Sequence, residues 1–320
     1  MTEEIPKLLR QRGLIDDDQF IRMDAVASGK VISVFYELRS LLYLGVLLFT
    51  GGVGILVYQH IGDFGHLLSI IGLGLLTVGC FIYAINKALP YSDGAIKSPT
   101  PYYDYVVLLG SLVFISIQGY LQFRYGWLDD NLGMSTLLTA VLFFIAAYRF
   151  DHIGVLSLAI TALASFWSIQ VSPQKWTSAD FLTQSNLHII AIIFSIALAM
   201  VATVLDSRAV KKHFTFTYFN FSFLIFFGGT LAALFRESNY IIYVLLTYVG
   251  SVAGYWIARK NKSFLFLFYA FLATYIATTY WLARTIFEYE ETLWFYYSII
   301  SCGGFVYFIV RFRQHFSMRS

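Results

Sequence analysis

The sequence predicts an all-α, polytopic integral membrane bundle of about ten transmembrane helices, preceded by a small N-terminal cytoplasmic helical head. Three observations carry that expectation. Of the 320 residues, 58% are hydrophobic and only 13% are charged, against about 25% charged in an ordinary soluble domain. The apolar residues come in blocks without Asp, Glu, Lys or Arg, each about long enough to cross a hydrocarbon core of roughly 30 Å at about 1.5 Å per residue. The basic residues between those blocks alternate in density, as the two sides of a bilayer require.

Residues 1–40 form the head and juxtamembrane segment, and 41–320 the membrane domain. Thr2, Glu3 and Glu4 suit a helix N-terminus, and Pro6 falls in the first turns, where its missing N–H does limited harm. Gly13 is a left-handed stop, with Leu14 reaching back to Leu9. A second helix starts at Asp16 as N-cap, with Gln19 completing a capping box and Ile15 and Phe20 in the two staple positions. It should end around Ser28, stopped by Gly29. Val31, Val34, Phe35 and Leu38 then give an apolar stripe opposite Ser33, Glu37 and Arg39, as in a segment lying on the membrane surface or entering the first span. Ile15, Asp16, Gln19 and Phe20 are the candidate partner-binding surface of this head. About forty polar residues precede the first apolar block, so the N-terminus is expected to be retained rather than cleaved.

The spans fall near 41–58, 67–85, 105–121, 132–148, 153–170, 187–205, 215–235, 240–258, 264–283 and 292–310. They should be helices, because backbone groups in lipid must bond within their own segment and the alternation of a barrel strand is absent. With the N-terminus inside, all 22 basic residues except Arg124, Lys175, Arg236 and Arg284 fall on the inner side, which places both termini in the cytoplasm. Trp127, Trp167, Trp176, Trp281 and Trp294 lie near the outer ends of spans and Trp256 near an inner end, as interfacial anchors do. The short connections 148–154 and 259–263 predict adjacent antiparallel hairpins on either side. Two halves of five helices could form an inverted repeat, yet the best internal echo pairs spans four and five with eight and nine.

The "GLI" followed by acidic residues in the head, the basic juxtamembrane stretch and the Gly-rich first hairpin "LGVLLFTGGVGILVYQHIGDFGHLLSIIGLGLL" resemble the uncharacterised bacterial membrane family of the domain-of-unknown-function 2157 type. The resemblance covers about the first 85 residues. This chain departs from the pattern in carrying Tyr58, Gln59 and His60 where members often have an Asn-Trp pair. The resemblance implies a bacterial cytoplasmic (inner) membrane protein and supplies no activity.

Little in the chain points to chemistry. "GGVG" at 51–54 and "GLGLLTVG" at 72–79 lack the spacing of phosphate loops and sit in apolar helices, where small residues permit close packing. The six histidines are scattered over loops and helix ends with no pair at i, i+4, so no metal site is expected. His60, Asp63 and His66 are the nearest approach to a cluster. Cys80 and Cys302 lie in apolar runs and are expected to be buried free thiols. Acidic groups at Asp129 and Asp130 and at Glu288, Glu290 and Glu291 mark the outer loops, either as solvated charge or as a vestibule or basic-partner surface. Arg149, Asp151 and His152 share a tight inner turn, where a local salt bridge is expected and a gate or proton relay is the alternative.

No ionisable residue lies in the middle of a span, although ion-coupled transporters and intramembrane acid–base enzymes usually place one there. Gln118 and Asn220 are the candidate intramembrane polar residues. With threonines such as Thr139, Thr161, Thr247, Thr274 and Thr278 they suit interhelical hydrogen bonds. A net charge of +3 with dispersed basic residues gives no reason to expect nucleic acid. No catalytic constellation and no cofactor motif is recognisable. The expected function is a non-enzymatic membrane subunit or scaffold that binds a membrane or cytoplasmic protein partner or a second copy of itself. The alternative is a permease or exporter of a neutral or amphipathic small molecule.

Overall fold

The computed structural model describes Asp16, Phe20 and residues 35–60, 63–126, 132–171, 187–286 and 291–317. These fold into long helices: α1 (Phe35–His60), α2 (Asp63–Lys87), α3 (Tyr103–Tyr125), α4 (Leu132–Phe150), α5 (Ile153–Val171), α6 (Leu187–Arg208), α7 (Thr215–Arg236), α8 (Tyr240–Asn261), α9 (Phe264–Thr285) and α10 (Glu291–Ser317). A 3-10 turn, Lys212–Phe214, leads into α7. The described residues contain no strand. Among the described residues eight helices, α2 to α9, are long and apolar enough to cross a membrane, and α1 contributes the shorter apolar run Ser40–Gly52. Every apolar block read from the sequence falls on one of these helices, because a run of that length has no other way to satisfy its backbone in lipid.

In the head, the Phe20 N–H donates to the Asp16 carbonyl at 2.8 Å, one helical turn away. Ile15 and Gln19 lie outside the described residues, as do Trp127, Asp129, Asp130, Trp176, Glu288 and Glu290 and the side chains of His60, Asp63 and His66.

The chain forms two compact units, residues 1–81 with 104–120, and residues 82–103 with 121–320. In the first, the Tyr43 and Tyr105 rings pack at 4.9 Å. Gly110 lets α3 approach α2 closely: a Cβ there would stand 2.8 Å from the Cys80 Cβ. Cys80 is buried at that contact, whereas Cys302 on α10 is exposed. The expectation of two buried thiols therefore fails at Cys302. The reason is that α10 packs against α9 along one side, and Cys302 stands off that side.

In the second unit α4 packs on α5, α6 on α7, and α8 on both α7 and α9. The α6–α7 contact is close at Gly229, where a Cβ would lie 3.1 Å from the Ala191 Cβ and 3.3 Å from the His188 carbonyl oxygen. A Cβ at Gly250 would run into the Phe226 ring. Aromatic side chains fill the core between α7 and α9, with Phe223 stacked on Phe227 at 5.9 Å and against Phe266 at 5.6 Å.

The two tight hairpins share one turn. After α4, Asp151 takes a left-handed φ of 56°, and after α8 Lys262 takes one of 51°. The next residue then bonds back to the helix, His152 N–H to the Ala147 carbonyl at 3.1 Å and Ser263 N–H to the Ala258 carbonyl at 3.0 Å. This is the Schellman closure, in which a left-handed residue lets two successive N–H groups satisfy the orphan carbonyls of the last turn.

Candidate functional site

Glycine is the usual residue at such a left-handed position, and an L-residue there costs roughly 1–3 kcal/mol. At Asp151 the side chain has a reason to be present. Its carboxylate is 4% exposed, and its Oδ1 accepts from the Lys211 Nζ and from the His213 Nε2, both at 2.8 Å. Its Oδ2 accepts from the Ile96 N–H at 2.6 Å. Lys211 is fully buried at 0% exposure and is itself left-handed, with φ 45°. Its N–H donates to the Asp93 carbonyl at 2.7 Å, and its ammonium sits 5.0 Å from the Tyr91 ring centre. A buried ammonium needs this much compensation, since desolvation alone costs several kcal/mol.

Three connections thus meet at one carboxylate. The α4–α5 turn supplies Asp151, the α6–α7 connection supplies Lys211 and His213, and the proline-containing stretch 88–102 supplies Ile96, Asp93 and Tyr91. That stretch is also held by Arg149, whose guanidinium donates to the Leu89 carbonyl at 3.0 Å. Its ends are set by the Tyr103 hydroxyl, donating to the Ala84 carbonyl at 3.3 Å, and by Tyr83 with Thr100 at 3.1 Å. Next to the cluster the Tyr148 and Tyr218 hydroxyls are 3.2 Å apart, and Phe214 packs edge-on against Tyr148 at 5.2 Å. Desolvation first, and the Asp93 and Asp151 carboxylates after it, hold the Tyr91 phenol above its ordinary value.

The expected salt bridge within the α4–α5 turn is replaced by this longer-range one. Arg149 points to stretch 88–102. His152 caps α5, its Nδ1 accepting the Val155 N–H at 3.1 Å. The sequence carried no local signal for Lys211: it stands in "KKH" beside Lys212, whose side chain is 73% exposed. Burial separates the two, and burial is set by how α6 and α7 pack.

At the same end of the helices Asp206, in the last turn of α6, takes the Lys260 Nζ at 2.6 Å and the Lys212 Nζ at 3.8 Å. At the opposite end His188, near the start of α6, has its Nε2 3.0 Å from the Tyr243 hydroxyl and 3.9 Å from the Glu237 carboxylate. Among the described residues, no group of three His, Cys, Asp or Glu side chains could hold a metal ion.

Inside the spans several polar side chains bond between helices, whereas Thr139, Thr161 and Thr247, expected to do so, donate to the carbonyls of Ser135, Ser157 and Tyr243 one turn back on their own helices. Asn220 on α7 accepts from the Tyr269 hydroxyl of α9 at 3.1 Å. Ser222 donates to the Ser195 carbonyl of α6 at 2.7 Å. Between α8 and α9, Thr274 donates to Ser251 at 2.7 Å, Ser251 donates to the Ala270 carbonyl at 3.1 Å, and Tyr248 and Thr278 are 2.8 Å apart. Tyr275 meets Ser301, and Thr279 meets Tyr297, across α9 and α10. Gln118 is half-buried on α3 in the first unit, so the two candidate intramembrane polar residues belong to different compact units.

Long apolar helices with polar groups bonded to one another are the build of a multi-pass membrane protein. Comparison with known protein families, with curated proteins and with solved structures finds no match for this chain.

Proposed function

We propose that this protein is a non-enzymatic integral membrane subunit or scaffold that binds a protein partner, itself a second chain or another copy. In this reading α1 and α10 also span, giving ten crossings, with both termini on the cytoplasmic side of a bacterial inner membrane. The head, through Ile15, Asp16, Gln19 and Phe20, contacts the partner. The resemblance of the first 85 residues to the domain-of-unknown-function 2157 type belongs to the same proposal.

One observation carries the reading: Asn220 on α7, Tyr248 and Ser251 on α8, and Tyr269, Thr274 and Thr278 on α9 are engaged by neighbouring helices. A permease of neutral solutes needs such groups at a midplane site that opens to either side. Here they would have to break helix contacts to reach a solute.

Mild extraction of the native membrane followed by sizing and mass analysis tests this. The expected result is the chain with a stoichiometric partner or in a defined oligomer, lost when Ile15 and Asp16 are both replaced by alanine while helicity is kept. A chain that runs alone as a monomer, and that carries neutral solutes into proteoliposomes, would overturn the reading in favour of a permease.

A further inference from the structure

The exposed apolar stripes of two helices each run into a basic residue at the end of the helices that carries Asp206. On α6, Ile196, Met200 and Val204 are exposed along one face, and Arg208 follows four residues on. On α8, Val249, Val252 and Trp256 are exposed along one face, and Arg259 follows at three. The two helix ends meet through Asp206, whose carboxylate holds both Lys260 and Lys212. One carboxylate facing two ammoniums, with the exposed Arg208 and Arg259 in the same last turns, leaves a local excess of positive charge. Trp256 is 72% exposed one turn before Lys260, at the depth where indole rings sit against headgroups. The Arg259 guanidinium is steadied over the Tyr255 ring, 5.6 Å from its centre.

We propose that this end of α6 and α8 binds the phosphate of an anionic phospholipid. Arg208, Arg259, Lys212 and Lys260 face the headgroup, and the α6 and α8 stripes carry the acyl chains. The geometry favours a lipid over a soluble anion because the cations continue two exposed apolar tracks and are flanked by an exposed tryptophan. Asp206 keeps the two lysines converged when no lipid is present. The inference rests on the chain spanning a membrane and is independent of what the head binds.

The test uses the full chain in detergent, with thermal unfolding and native mass spectrometry in the presence of phosphatidylglycerol, phosphatidylcholine or inorganic phosphate. Phosphatidylglycerol should bind preferentially and raise the melting temperature, with the preference shrinking as salt is added. The double variant Arg208→Gln with Arg259→Gln leaves the Asp206 contacts intact. It should lower the preference about fivefold per charge removed, the effect of roughly 1 kcal/mol per basic residue at an anionic surface. Lys87→Gln with Lys97→Gln, two exposed cations elsewhere, should change it little. Equal binding of the two lipids by the unaltered protein would overturn the proposal, as would an undiminished preference in the arginine variant. Equal protection by inorganic phosphate alone would overturn the lipid assignment. A chain that stays folded and dispersed in water without detergent refutes the membrane reading instead.

Discussion

Asp151 offers the most decisive perturbation. Asp151→Asn keeps the volume of the side chain and an oxygen for the Ile96 N–H, but it removes the charge that Lys211 and His213 share at 2.8 Å. The Lys211 ammonium, at 0% exposure, would then be buried without a counter-charge. Breaking a buried pair by removing one partner costs about 3–5 kcal/mol, because the remaining charge keeps its desolvation penalty. Lys211→Met in the same protein removes the orphaned charge and fills its channel with an apolar chain. The double variant should therefore be less destabilised than the sum of the single ones, by about 1–3 kcal/mol of coupling. The measurement is reversible unfolding of the detergent-solubilised full chain, followed by circular dichroism across the four-member cycle. Arg149→Gln is the control, since it loses only an exposed hydrogen bond to the Leu89 carbonyl. A change below about 1 kcal/mol for Asp151→Asn, or simple additivity with Lys211→Met, would show that the cluster does not hold these connections together.

Other perturbations give smaller or opposite effects. Asn220→Leu removes the acceptor of the Tyr269 hydroxyl and should cost about 0.6 kcal/mol, up to roughly 1.7, typical of interhelical bonds in membranes; unchanged unfolding would show that this bond does not help hold α7 to α9. Gly229→Leu pushes a side chain against Ala191 and the His188 carbonyl. A loss of about 1–3 kcal/mol is expected in unfolding experiments, partly recovered by Ala191→Gly, and a neutral result would mean that α6 and α7 are not in close contact. Thr215 carries a buried hydroxyl oxygen with no hydrogen-bond partner among the described residues, so Thr215→Val should be neutral or stabilise by about 1 kcal/mol. A clear destabilisation there would reveal a partner for that oxygen.

The helices were legible because their cause is local. A block of apolar residues without charge, long enough to cross lipid, can satisfy its backbone only as a helix, so α2 to α9 appear where hydropathy places them. The hairpins α4–α5 and α8–α9 were legible for a similar reason, since a connection of a few residues leaves the second helix nowhere else to pack. The exposed Cys302 was misread because an apolar run has the same composition whether it faces protein or lipid, and only the neighbours of α10 distinguish the two.

The candidate site was hardly legible. Asp151 stood out as a charge in a tight turn, but its partners lie about sixty residues along the chain. Lys211 differs from Lys212 in nothing that composition records. Likewise, Asn220 could be picked out as a polar residue in a span, while its pairing with Tyr269 depends on how α7 and α9 are rotated toward each other. By itself the sequence determined that the chain is helical, where the apolar helices run and which of them pair as hairpins, because each of these follows from interactions within a few tens of residues. The tertiary structure alone decided which charges are buried, which polar side chains bond across helices and which stripes are left to lipid, because each depends on groups that only packing brings together.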